Sequence, residues 1–70
     1  MDANERLQEL LTELRDRMAA LEPDNIEQTM HLAGLLRSRV GDPVIGEELR
    51  GYLQRLGRQY RTWRREGKIG

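Results

Sequence analysis

Apolar residues recur at spacings of three and four along most of this chain, and polar residues fill the gaps. Leu7, Leu10, Leu11, Leu14, Met18 and Leu21 trace one face of a helix, with Glu5, Glu9, Glu13 and Asp16 on the opposite face at about 100° per residue. The spacing predicts a first helix over residues 4–22. Asp2–Arg6 and Glu13–Arg17 are attractive i,i+4 pairs within it. Pro23 stops that helix, because proline has no donor and clashes with the preceding turn.

Asp24 or Asn25 then caps a second helix over 25–40, each with an acid or amide three residues on (Glu27, Gln28) to complete a capping box. Ile26, Met30, Ala33, Leu36 and Val40 form its main stripe, and Leu32 and Leu35 widen the stripe on one flank. This helix is the most broadly apolar and is expected to lie centrally, with Leu32 and Leu35 available for self-association. Gly41 is expected at its C-terminal cap.

Asp42-Pro43 reads as an N-cap followed by proline at the first helical position, opening a third helix over 44–66. Ile45, Leu49, Tyr52, Leu53, Leu56, Tyr60 and Trp63 line its apolar face. Gly46, Gly51 and Gly57 interrupt it at about 1 kcal/mol each relative to alanine, marking either close backbone approach or a helix that starts only near Gly46. Gly67 ends it and leaves Lys68, Ile69 and Gly70 frayed. Short connections make neighbouring helices antiparallel. The expectation is a single all-α domain over residues 1–70: a small antiparallel three-helix bundle, or a helical hairpin plus a third helix, completed by dimerisation.

Size supports the last point. Seventy residues bury only about 60% of the unfolded surface, and without cysteine or phenylalanine neither disulfides nor large aromatic packing compensates. No stretch approaches the roughly 20 apolar residues of a membrane span, and the N-terminus lacks a signal-peptide pattern, so a cytoplasmic location is expected.

Chemistry for catalysis is absent. Ser38, Thr12, Thr29 and Thr62 sit in no nucleophile elbow, no glycine-rich phosphate loop occurs, and the carboxylates fall on solvated faces. An enzyme is not expected, and no cofactor is implied. Glu27 and His31, one helical turn apart, could share a metal across a dimer. An isolated pair lacks the remaining ligands of a site and reads as a boundary histidine beside an acid.

The charges sum to zero, 12 cationic against 12 acidic, but they are sorted. Glu5, Glu9, Glu13 and Asp16 gather near the start, and Arg58, Arg61, Arg64, Arg65 and Lys68 near the end, with Trp63 among them. Helix dipoles explain the signs, at about 0.3–1 kcal/mol per charge. They do not explain the crowding, since like charges at i,i+3 or i,i+4 repel by about 0.2–0.5 kcal/mol per pair. An external partner would relieve that repulsion.

Residues 61–69, Arg-Thr-Trp-Arg-Arg-Glu-Gly-Lys-Ile, resemble the end of the recognition helix in MerR- and excisionase-type helix-turn-helix domains. That resemblance implies a DNA-binding helix, but Leu56-Gly57 stands too close to Trp63 for the turn-plus-helix spacing of such domains. Net neutrality also argues against a dedicated nucleic-acid binder. The sequence therefore favours a protein–protein interaction module: a small regulator, adaptor or inhibitor of the kind phages and mobile elements encode. It would form a homodimer and dock through Arg58, Arg61, Trp63, Arg64, Arg65 and Lys68, with Glu5, Glu9, Glu13 and Asp16 as a second charged face. Nucleic acid is the alternative partner.

Overall fold

The computed structural model describes residues 3–70, which form three helices with no strand among them: α1 (Ala3–Ala19), α2 (Ile26–Arg39) and α3 (Pro43–Arg65). The expected Asp2–Arg6 pair lies outside the described residues. Helix α2 packs against both neighbours, whereas α1 and α3 touch each other little. The result is an elongated bundle of 41 × 22 × 17 Å, along which α3, at about 34 Å for its 23 residues, is the longest rod. No helix is long and apolar enough to cross a membrane among the described residues.

The core follows the expected stripes. Leu11, Leu14 and Met18 of α1, Ile26, Ala33 and Leu36 of α2, and Leu49 and Leu56 of α3 are buried together. Thr29 joins them at zero exposure, in the place along α2 that the pattern assigned to Met30. Its hydroxyl donates to the carbonyl of Asn25 at 2.9 Å, which removes the cost of burying it. Met30 and Val40 pack at the core's edge.

Three boundaries differ from expectation, each for a local reason. Helix α1 ends at Ala19, three residues short of Glu22. Asn25 accepts from the Glu22 amide at 2.9 Å and donates to the Ala20 carbonyl at 3.1 Å, so its side chain closes the interhelical turn. That engagement leaves Asn25 the N-cap by position, with no side-chain cap bond, and the capping box does not form. At the end of α2, Val40 turns extended and its amide returns to the Leu36 carbonyl at 2.9 Å; Gly41 does not take a left-handed conformation.

The start of α3 is as the sequence reads. Asp42 accepts from the Val44 and Ile45 amides at 2.8 and 3.2 Å, and Pro43 occupies the first turn, so residues 43–47 are helical. The glycines of α3 mark neither a break nor a close approach. A Cβ built on Gly46 or Gly51 meets nothing within 4 Å, and one on Gly57 meets only the flexible end of Arg61 at 3.8 Å.

Gly67, at φ 77°, ends α3 in the left-handed region that glycine alone enters without strain. The Gly67 amide bonds the Arg64 carbonyl and the Lys68 amide bonds the Trp63 carbonyl, the paired bonds of a Schellman cap. The tail is thus not frayed. Ile69 packs back onto the core and, with Lys68 and Gly70, lies beside Pro23, Asp24, Glu27 and Gln28 at the start of α2.

Candidate functional site

The second half of α3 gathers the strongest unbalanced charge in the molecule. Its inner side is fixed by Leu56, fully buried, and by Leu53, Tyr60 and Trp63 packed against the core. With those residues turned inward, Arg58, Arg61, Arg64 and Arg65 are exposed, as expected. Arg55 belongs with them. Arg55, Arg58, Arg61 and Arg64 stand at successive spacings of three, a ridge that winds around the outer side of the helix over about 14 Å. None of these arginines, nor Arg65, has a carboxylate oxygen within 4.0 Å among the described residues.

Lys68 stands apart. It follows the Schellman cap, turns towards the start of α2 and pairs with Glu66 at 3.4 Å. Trp63 is half-buried and packs against the core. The ridge also has a recess, a shallow open notch of about 410 Å³ lined by Leu53, Gln54, Gly57, Arg58 and Arg61.

The acidic row on α1 is different in kind. Glu5, Glu9, Glu13 and Asp16 are all exposed, but Glu9 meets Arg6 at 3.6 Å and Glu13 meets Arg17 at 3.3 Å. Half of the row is therefore answered within its own helix, whereas the basic ridge is not. The two rows do not meet.

A cluster the sequence did not reveal ties α1 to α3. Arg15 donates through Nε and Nη2 to the two carboxylate oxygens of Glu48, at 2.7 and 2.8 Å, and the Tyr52 hydroxyl donates to the same carboxylate. This forked geometry is the strongest form of an arginine–carboxylate pair. Arg15 and Glu48 are 33 residues apart, and only the attractive i,i+4 placing of Glu48 and Tyr52 is visible locally. Arg15's hydrogen bonds, then Tyr52's, hold the Glu48 carboxyl down at about 2 from an ordinary 4.5. The same bonds to Glu48 raise Arg15, and raise Tyr52 together with its partial burial.

Because the carboxyl is lowered in the folded chain, its contribution is complete above its unfolded value near 4.5 and is lost as pH falls towards 2. Melting temperature is therefore expected to drop across that window, and to drop less steeply in Glu48→Gln. Thermal melts of both proteins at stepped pH check this; parallel curves would show that the fork does not couple to folding.

Leu35 lines a groove together with Leu7 and Leu10 of α1, and Leu32 packs against the core. Leu32 is half-buried and Leu35 is 37% exposed. Glu27 and His31 are both exposed on α2, and no group of three metal-binding side chains converges anywhere among the described residues. The segment resembling a recognition helix is the end of an unbroken helix: α3 continues through Leu56-Gly57, so the turn that such a domain requires there is absent.

Compared with known proteins, the chain matches no family model, no curated protein and no solved structure. The fold and surface thus define a small all-helical bundle whose functional reading rests on its own residues.

Proposed function

We propose that this chain is a non-enzymatic helical interaction module, a small regulator, adaptor or inhibitor that docks its basic α3 ridge onto an acidic surface of a larger protein. One observation carries the reading. Arg55, Arg58, Arg61, Arg64 and Arg65 crowd eleven residues of one helix without a carboxylate partner among the described residues, while α1 supplies arginines to its own acids. Repulsion between cations three or four residues apart costs a few tenths of a kcal/mol per pair, and an acidic partner reverses its sign. Arginine also suits the role, since its planar fork grips carboxylates in two-point contacts and it is enriched among energetic anchors at interfaces.

A protein surface fits better than nucleic acid. The chain is neutral overall, and Tyr60 and Trp63, the rings that could stack on bases, are held against the core. The exposed acids of α1 would add repulsion from a phosphate backbone. Electrophoretic mobility with duplex and single-stranded DNA and RNA at about 50 mM salt tests the choice. No shift is expected. A shift whose salt dependence became shallower in Arg61→Ala would replace the protein partner with nucleic acid.

A further inference from the structure

We propose that the notch on α3 seats one large apolar side chain of an acidic helix, whose carboxylates meet Arg58 and Arg61 at its rim. This occupant presupposes docking through α3 and gives the docking partner a shape. The notch, about 410 Å³ and open to solvent, joins two kinds of surface. Leu53 packs on the core but is only half-buried, so part of its aliphatic surface is left uncovered. Gly57 follows one turn later and offers backbone alone; a Cβ built there meets only the end of Arg61, at 3.8 Å. Gln54, Arg58 and Arg61, all exposed, complete the lining, and no acid is part of it.

The surrounding charges set the sign of the occupant. Among the described residues, Glu47 of α3 meets Arg50 at 3.8 Å, Arg15 holds Glu48, and Glu66 meets Lys68 at 3.4 Å. Neither Arg58 nor Arg61 has a carboxylate oxygen within 4.0 Å among those residues. An incoming acid therefore meets no competitor at the rim, whereas a basic surface, a second α3 ridge included, is repelled. Periodicity makes the occupant a helix. Arg58, Arg61 and Arg65 stand at spacings of three and four, one straight stripe on the outer side of α3. A helix laid along that stripe with acids at the same spacings brings a carboxylate to each arginine. At about 100° per residue, Leu53 and Gly57 fall on one flank of the stripe. An apolar residue on the matching flank of the partner reaches Leu53 and the Gly57 backbone there. Its burial adds an anchor that charge alone does not supply, and so selects among acidic helices.

Two labelled, alanine-based helical peptides of about 18 residues test the notch by fluorescence anisotropy at low salt. Both carry glutamates at the spacings of Arg58, Arg61 and Arg65. One has a leucine on the flank of its glutamates, and the other has alanine there. The parent chain is expected to bind the leucine peptide about tenfold more tightly. Gly57→Leu, which fills the notch and leaves every charge in place, is expected to bind both equally at the weaker level. Arg58→Ala with Arg61→Ala is expected to weaken both. Equal affinity of the parent for the two peptides, or a leucine preference that survives Gly57→Leu, would overturn the notch's role and leave the ridge's standing. A parent that binds neither peptide, or a double-arginine variant that binds both as the parent does, would overturn docking through α3 as well. Circular dichroism verifies the fold of each variant. Should Gly57→Leu fail to fold, the two peptides on the parent chain decide alone.

Discussion

Leu36→Ala is expected to unfold most of the chain, while Leu35→Ala, one residue away, leaves it folded in dilute solution. Leu36 is fully buried in the central helix, and Leu35 is 37% exposed at its flank. Truncating a buried leucine costs the lost transfer free energy plus the cavity left behind, about 3–5 kcal/mol. A single core in a chain of 70 residues rarely supplies more than about 3–5 kcal/mol of net stability. With eight buried hydrophobic side chains and no disulfide, this chain has little with which to absorb that loss. Removing Leu35's side chain takes away contacts already shared with water, at about 1 kcal/mol or less. Urea titrations followed by circular dichroism check the contrast; equal losses in the two variants would mean that the two leucines are buried alike.

Substitutions at Gly51 are expected to move stability in opposite directions. The site is helical, exposed and open, and a Cβ there meets nothing within 4 Å. Gly51→Ala removes the backbone freedom of glycine and is expected to stabilise by about 1 kcal/mol. Gly51→Pro deletes an interior helix hydrogen bond and forces its ring against the preceding turn. Proline stands about 3 kcal/mol below alanine and glycine about 1 below, so the net cost is about 2 kcal/mol or more. A hinge at Gly51 would tolerate proline and gain little from alanine. Thermal melts of the two variants beside the parent distinguish a continuous α3 from two short helices.

The three helices were legible because each carries its apolar residues at helical spacing, and because Asp42-Pro43 announces α3 through local chemistry alone. What was not legible depended on pairs distant in sequence or on competition for one side chain. The Arg15–Glu48 fork joins residues 33 apart, and nothing near either names the other. Asn25 carried a sound capping signal but spends its amide on Ala20 and Glu22, which is also why α1 stops early. Thr29 is buried because the Asn25 carbonyl accepts its hydroxyl, a bond that a scale of residue polarity does not anticipate. Its place between Ile26 and Ala33, at spacings of three and four, was nonetheless a usable sign.

The basic surface was legible as a composition before it was legible as a shape. Arg58, Arg61, Arg64 and Arg65 could be named from the chain, but three-residue spacing extends the ridge back to Arg55, and the Schellman turn removes Lys68 from it. Trp63 sits on the apolar phase of α3 and is drawn to the core by that phase. The acidic row, which sequence alone set on equal terms with the basic one, loses that parity because Arg6 and Arg17 lie within reach of Glu9 and Glu13.

The ridge, without a carboxylate partner among the described residues, is therefore the centre of the proposed function, and reversing its charge is the most direct trial of it. The parent chain and an Arg58→Glu, Arg61→Glu, Arg65→Glu variant, both immobilised and both verified as folded by circular dichroism, are exposed to nuclease-treated extract of the source cells. The expected result is a protein retained by the parent, resistant to nuclease and absent from the variant. The same protein retained equally by both chains, or retention that vanishes with the nuclease, would contradict an acidic protein partner at α3.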